Sequence, residues 1–313
     1  MNRSMLLLFL LYPGSLFAGC LGAAWSELLI PGSGYAYSGQ WGKALVFGGS
    51  RWAWTKEFVR TKESSDIIPL KDRFEVVPKG ESDSGKTELI RTMNQSTQDQ
   101  YTTFQWQLNT GFLSFWDLQR HDCQPNSEVW GASVAPFRVD QFGDKWAFWL
   151  GIAAVAGFLN SGVLGQNLAV RDTYLNGYTE KKHKQDIFLA MYPVGIGEEA
   201  IFRDSLQDSL YDAYLGAGWS PESARHLSIW SGTTIFALSH AGSSPTANIP
   251  GAFLLGAYNG YLYHPAVGEH DLITAMAFHT WFDTLYYLAL ARMATQEERE
   301  TLQQPILKVG FQF

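Results

Sequence analysis

Only two cysteines, Cys20 and Cys123, occur in the 313 residues, too few for a disulfide framework. Charge is scarce as well: charged residues make up 17%, below the ~25% usual for soluble domains. The balance is acidic, with 23 Lys and Arg against 30 Asp and Glu and a net charge of -7. No basic stripe appears, which argues against nucleic acid as a partner. HExxH is absent, so the usual sequence warrant for a zinc peptidase is missing. Absent too is the ladder of ~10-residue alternating segments that an outer-membrane barrel needs. The final ILKVGFQF does alternate, with Leu307, Val309, Phe311 and Phe313 on one side, and reads as a short extended tail.

Apolar and aromatic residues are plentiful. Hydrophobic residues reach 46% and aromatics 15%, with 12 Trp. That combination suggests a membrane protein with interfacial aromatic belts. Mean hydropathy is only -0.11, so a polar portion dilutes the apolar spans. The start reads as an export signal over residues 1–19: a basic MNR, an apolar MLLLFLLYPG and a small-residue end, SLFAGC. The alternative is an uncleaved first membrane helix, for which the apolar run is short. LFAGC also resembles a bacterial lipoprotein signal with Cys20 as lipid acceptor, although Phe17 is not the usual residue three before that cysteine.

Residues 20–55 are apolar and glycine-rich. They resemble the PGxGxxYxGxxxKA element of small bacterial membrane proteins, which implies a membrane-associated helical hairpin; a glycine-rich turn between two buried helices is the other reading. Residues 56–144 form a polar extramembrane region. Within it Phe104, Leu108, Phe112 and Trp116 share one helix face, as core packing or as an interfacial helix. Gly80 to Thr87 has the bare spacing of a phosphate loop, but that loop needs a strand before it and a helix after it, within an αβ repeat that is missing here. Cys123, beside His121 and Asp122, reads as incidental.

The apolar portion spans 145–295, with 296–313 as a tail. WAFWLGIAAVAGFLNSGVLGQ, 146–166, is long enough for a crossing that takes ~20 residues. The loop after it carries Arg171, Lys181, Lys182 and Lys184, which favours a cytoplasmic side and places residues 20–144 in the periplasm. Further membrane candidates follow at 187–202, 227–242, 249–266 and 272–293. Ser220, Pro221 and Glu222 start one helix cleanly. The expected fold is an all-α membrane protein, a multi-span helical bundle with a polar N-terminal insert.

Three apolar segments carry ionisable groups, which are costly at membrane depth and mark functional sites. In GEEAIFR, Glu199 and Arg203 stand four apart and can pair, while Glu198 lies about 100° away around the helix without that partner. In TIFALSH, Phe236 and His240 share a face. In HTWFD, His279 and Asp283 do the same. Each alone has a structural explanation, a helix lock or a satisfied histidine. Together they can satisfy one another only by converging inside the bundle. Asp204, Asp208 and Asp212 read as a solvated helix face, and His264 and His270 as surface or interfacial.

In this order EEAIFR, FALSH and HTWFD resemble the three motifs of the CPBP family, the CAAX-processing and bacteriocin-processing intramembrane endopeptidases: EExxxR, FxxxH and HxxxN or HxxxB. The resemblance covers Glu198 to Asp283 and implies a helical bundle of the CAAX-protease type. It also implies roles: Glu198 as general base on water, His240 as its orienter, His279 on the carbonyl or oxyanion, and Glu199 and Arg203 as supports for the first helix. Asp283 departs from the commoner Asn. An ionised aspartate repels an oxyanion, so Asp283 must be protonated, orient His279, or bind a metal. Two chemistries stay open, a metal-free glutamic peptidase and a zinc site made of Glu198, His240, His279 and Asp283. A third possibility is an inactive membrane scaffold of the same fold, with 20–144 as its interaction module. The expected partners are a lipid bilayer and a peptide or protein substrate, and the expected location is a bacterial inner membrane.

Overall fold

The computed structural model describes residues 19–63, 66–78, 87–161, 168–241 and 249–299. Residues 1–18 of the expected 1–19 signal and the tail residues beyond Arg299 lie outside the described residues. Among the described residues the α-helices of five residues or more are α1 (Cys20–Leu29), α2 (Ser33–Tyr37), α3 (Gly49–Lys62), α4 (Gln95–Arg120), α5 (Glu128–Ser133), α6 (Trp146–Asn160), α7 (Glu180–Glu199), α8 (Asp208–Gly216), α9 (Pro221–Ser239), α10 (Ile249–Tyr263) and α11 (Leu272–Met293). Strands β1 (Phe74–Pro78), β2 (Thr87–Met93), β3 (Leu168–Leu175) and β4 (Thr295–Arg299) form one sheet in that order. β1 and β2 are antiparallel, while β2–β3 and β3–β4 are parallel.

The chain is mostly helical, consistent with the all-α expectation, and the described residues add one four-stranded sheet to it. The basic segment after 166, expected as a loop, opens with β3, and the tail from 296 begins inside β4. β3 escapes a pattern reading because it buries a charge: Asp172 accepts from Arg91 Nε at 2.7 Å and Nη2 at 2.8 Å across the β2–β3 pair. Thr87 opens a strand, not a helix, so the Gly80–Thr87 spacing lacks the context of a phosphate loop.

Helix starts follow capping chemistry. Asn94 Oδ1 accepts from Thr97 N–H at 2.9 Å to begin α4, Thr179 Oγ1 from Lys182 N–H at 3.3 Å to begin α7, and Asp271 Oδ1 from Thr274 N–H at 3.1 Å to begin α11. Ser220 caps α9, with Pro221 in its first turn, as the sequence predicts. Among the described residues no helix is long and apolar enough to cross a membrane. α6 ends at Asn160 after 15 residues, about 22 Å of rise against a ~30 Å hydrocarbon core. Residues 162–166 of the expected 146–166 span lie outside the described residues.

One apolar cluster joins Tyr35 of α2, Leu113 and Phe115 of α4, Ile196 of α7 and Met276 of α11. Residues 56–144 thus contribute their longest helix to the core beneath the sequence motifs. In the stripe read from the sequence, Trp116 is buried and Phe104 is exposed. The glycine-rich element has a steric and polar cause. A Cβ on Gly34 would stand 2.3 Å from Ala23 O, so α1 and α2 meet at backbone contact. Buried Glu27 accepts from Gly32 N–H at 2.8 Å and Gly34 N–H at 3.0 Å. Tyr35 and Lys43 both donate to buried Asp117 of α4, at 2.8 and 2.6 Å.

Cys20 and Cys123 form a disulfide across 103 residues, tying the start of α1 to the end of α4. Cys123 is therefore not incidental, and with its sulfur in this bond Cys20 has none left to carry a lipid. Asp122 and Cys123 reach it through consecutive left-handed residues, φ 47° and 60°.

Candidate functional site

α7 brings the first motif between α4 and α11. Pro193, Gly195 and Gly197 leave its surface nearly bare there. A Cβ on Gly195 would stand 2.4 Å from Thr280 N, and one on Gly197 2.5 Å from Asn109 O. This close approach places Glu198 and Glu199 against α11. A π-helical segment, Ala200–Gln207, then carries Arg203.

The three motifs converge. Glu198 Oε2 stands 3.6 Å from His240 Nε2 and 4.0 Å from His279 Nε2. His279 Nε2 is also 3.5 Å from Asp283 Oδ2. On the other side of that ring, Nδ1 lies 2.6 Å from Glu199 Oε1. Glu199 accepts further from Arg203 Nε at 2.9 Å and Asn259 Nδ2 at 3.1 Å. Two layers result. Glu199, Arg203 and His279 are fully or almost fully buried, whereas Glu198, His240 and Asp283 keep 18%, 30% and 15% of their side chains accessible.

His240 ends α9 as its C-cap, and its Nδ1 lies 2.8 Å from Phe236 O. A carbonyl accepts only, so Nδ1 carries the proton in the neutral ring and Nε2 presents a lone pair toward Glu198. Phe236 separates the layers. Its ring lies 4.5 Å from His240, 5.9 Å from His279 and 5.1 Å from Phe202 by centroids, and Arg203 stacks over it at 5.2 Å. Two acceptors, Glu198 Oε2 and His240 Nε2, thus face each other too far apart for a direct hydrogen bond. That geometry suits a water donating one hydrogen to each.

All seven site residues named from the sequence come together here. Asn259 was missed. It is an uncharged polar side chain in an apolar helix, AYNGYLY, and a search confined to ionisable groups passes over it. Missed too was a second polar cluster beneath the π segment. Asp204 is not solvated: it is buried and accepts from Trp116 Nε1 and Tyr263 OH, each at 2.6 Å. His264 is buried, not interfacial; of the two, only His270 is exposed. Of the acidic stripe only Asp212 is exposed. Among the described residues no group of three or more His, Cys, Asp or Glu side chains is arranged to hold a metal ion.

No curated protein and no solved structure matches the chain. A protein-family model does, that of the type II CAAX prenyl endopeptidase Rce1-like family, over residues 185–285. The matched stretch runs from within α7 to within α11 and contains every motif residue of the site. Residues 185–285 are therefore an Rce1-like domain of the CAAX-protease family.

Proposed function

We infer that the chain is a multi-pass endopeptidase of a bacterial inner membrane that hydrolyses a peptide bond in a protein substrate, using water activated by Glu198 and His240. The observation that carries this reading is the placement of Glu198 Oε2 within 4.0 Å of both imidazole Nε2 atoms, on a side chain that keeps 18% of its surface accessible. The water oxygen attacks the scissile carbonyl carbon while its proton passes to Glu198. His279, between Glu199 and Asp283, can carry a proton on each ring nitrogen and so offers a donor to the developing oxyanion. Collapse of the tetrahedral intermediate breaks the C–N bond, and Glu198 returns its proton to the leaving amine.

Asp283 stands beside His279 Nε2, which supports the second of its three options, orienting and charging that ring. Glu199, held by Arg203 and Asn259, fixes the other ring nitrogen. No step requires a metal. The family description suggests a substrate class, proteins with a C-terminal prenylated CAAX sequence. The Cys20–Cys123 bond supports a periplasmic location for residues 20–144, because disulfides persist in oxidising compartments.

The test replaces Glu198 by Gln and His240 by Ala in cells and follows cleavage products. Products that vanish in both variants at unchanged protein level support the peptidase; products unchanged in both contradict it and leave a scaffold. Metal analysis of purified active protein is the second arm. Stoichiometric zinc, with activity lost to chelator and restored by zinc, would overturn the metal-free step.

A further inference from the structure

Arg203 holds Glu199 by a single bond, from Nε, and among the described residues neither of its terminal nitrogens has a hydrogen-bond partner. Beyond its stacking over Phe236 at 5.2 Å, the guanidinium tip has no directional contact to fix its position. What remains is the backbone of the π segment, and that backbone is fastened through the next residue. Asp204 is buried. It takes Trp116 Nε1–H from α4 on Oδ2 and Tyr263 O–H from α10 on Oδ1, with Arg120 Nε 3.5 Å from Oδ2. α10 grips the same stretch twice more: Asn259 donates to Glu199, and Gln207 Nε2 donates to Gly260 O at 3.2 Å.

We propose that Asp204 is a positioning residue for hydrolysis: its two hydrogen bonds to Trp116 and Tyr263 set the rotation of the π segment and thereby the line Arg203, Glu199, His279. This rests on the peptidase reading above. The chemistry is directional. Both partners are donors, so an ionised carboxylate satisfies both, while an amide of the same size presents its N–H₂ to one of them. The segment then turns, Arg203 moves with it, and His279 is no longer held where the oxyanion develops. A displacement of about 1 Å at such a support is worth up to ~100-fold in rate.

The experiment measures steady-state cleavage by the purified full chain carrying Asp204→Asn, Arg203→Gln, both together, or Glu198→Gln. Asp204→Asn is expected to lower kcat about tenfold or more with KM within twofold, and to add nothing in the Arg203→Gln background. A merely structural role would lower activity by the same factor in both backgrounds and would overturn the proposal, as would a fully active Asp204→Asn. Tyr263→Phe and Trp116→Phe each delete one bond and keep most of the ring; they serve if Asp204→Asn does not fold, and wild-type kcat in both would also overturn it. Glu198→Gln separates the two readings. Cleavage at the wild-type rate in that variant sinks the peptidase chemistry itself, whereas loss there with no loss at Asp204 sinks only the positioning role.

Discussion

Glu198 and Glu199 are neighbours in sequence, yet the structure assigns them opposite parts, and exchanging each for glutamine separates these. Glu199 has no accessible surface and receives three donors, from His279, Arg203 and Asn259. The amide of Glu199→Gln would keep one acceptor oxygen and turn an N–H₂ toward the remaining donors. Arg203, also without accessible surface, would be left as a buried charge with no counter-ion. Breaking a buried pair from one side costs about 3–5 kcal/mol. At roughly 2 °C per kcal/mol for a large domain, Tm should fall by about 6–10 °C. Glu198 Oε2 accepts no hydrogen bond among the described residues, and its side chain is partly accessible. Oε2 itself is buried, but Glu198→Gln strands no donor, so the change should stay within about 1 kcal/mol and Tm within about 2 °C. Thermal unfolding of the two purified variants beside wild type decides it. Equal shifts, or a larger fall for Glu198→Gln, would refute the two-layer reading.

Three further outcomes follow from particular contacts. Replacing Cys20 and Cys123 by Ser opens a loop closed across 103 residues and should cost about 3–5 kcal/mol in denaturant unfolding; no change on substitution or reduction would mean the bond does not form. Gly195→Ala drives a methyl into Thr280 N and Gly197→Ala into Asn109 O, so each should lose about 1–3 kcal/mol of stability and most of the activity; wild-type Tm in either would contradict the backbone contact that seats α7. Burial, then the neighbouring Asp204 carboxylate, lifts Asp208 from its ordinary 3.8 to about 6. Between those values the folded chain binds more protons than the unfolded one, so this group's contribution to stability falls as pH rises from about 4 to 6. Asp208→Asn should therefore gain Tm relative to wild type at pH 7.5 but not at pH 4, and the same difference at both pH values would refute the assignment.

The clustering of the candidate site was legible in the sequence because its polar side chains sit on local spacings. Glu199 with Arg203, Phe236 with His240, and His279 with Asp283 are each four apart, and the helix brings each pair to one face without help from the rest of the chain. Ser220 and Pro221 gave a helix start for the same local reason. What stayed hidden depends on distant partners. Asp204 looks like a solvated acid until Trp116, 88 residues before it, and Tyr263, 59 residues after it, close around it. Asp172 hides β3 from any apolar pattern because its partner is Arg91, 81 residues away. β4 joins that strand from the far end of α11. The Cys20–Cys123 bond spans more than a hundred residues, a pairing that spacing alone does not reveal.

The most direct trial of the water-activation chemistry is single-turnover cleavage by purified wild-type and Glu198→Gln protein in ¹⁸O-labelled water. A base that takes the water's proton accounts for roughly 100-fold or more of the rate. The expected result is one ¹⁸O in the new carboxyl group of the wild-type product and a rate at least ~100-fold lower in the variant, with its Tm unchanged. A folded Glu198→Gln protein that cleaves within tenfold of wild type would contradict the account.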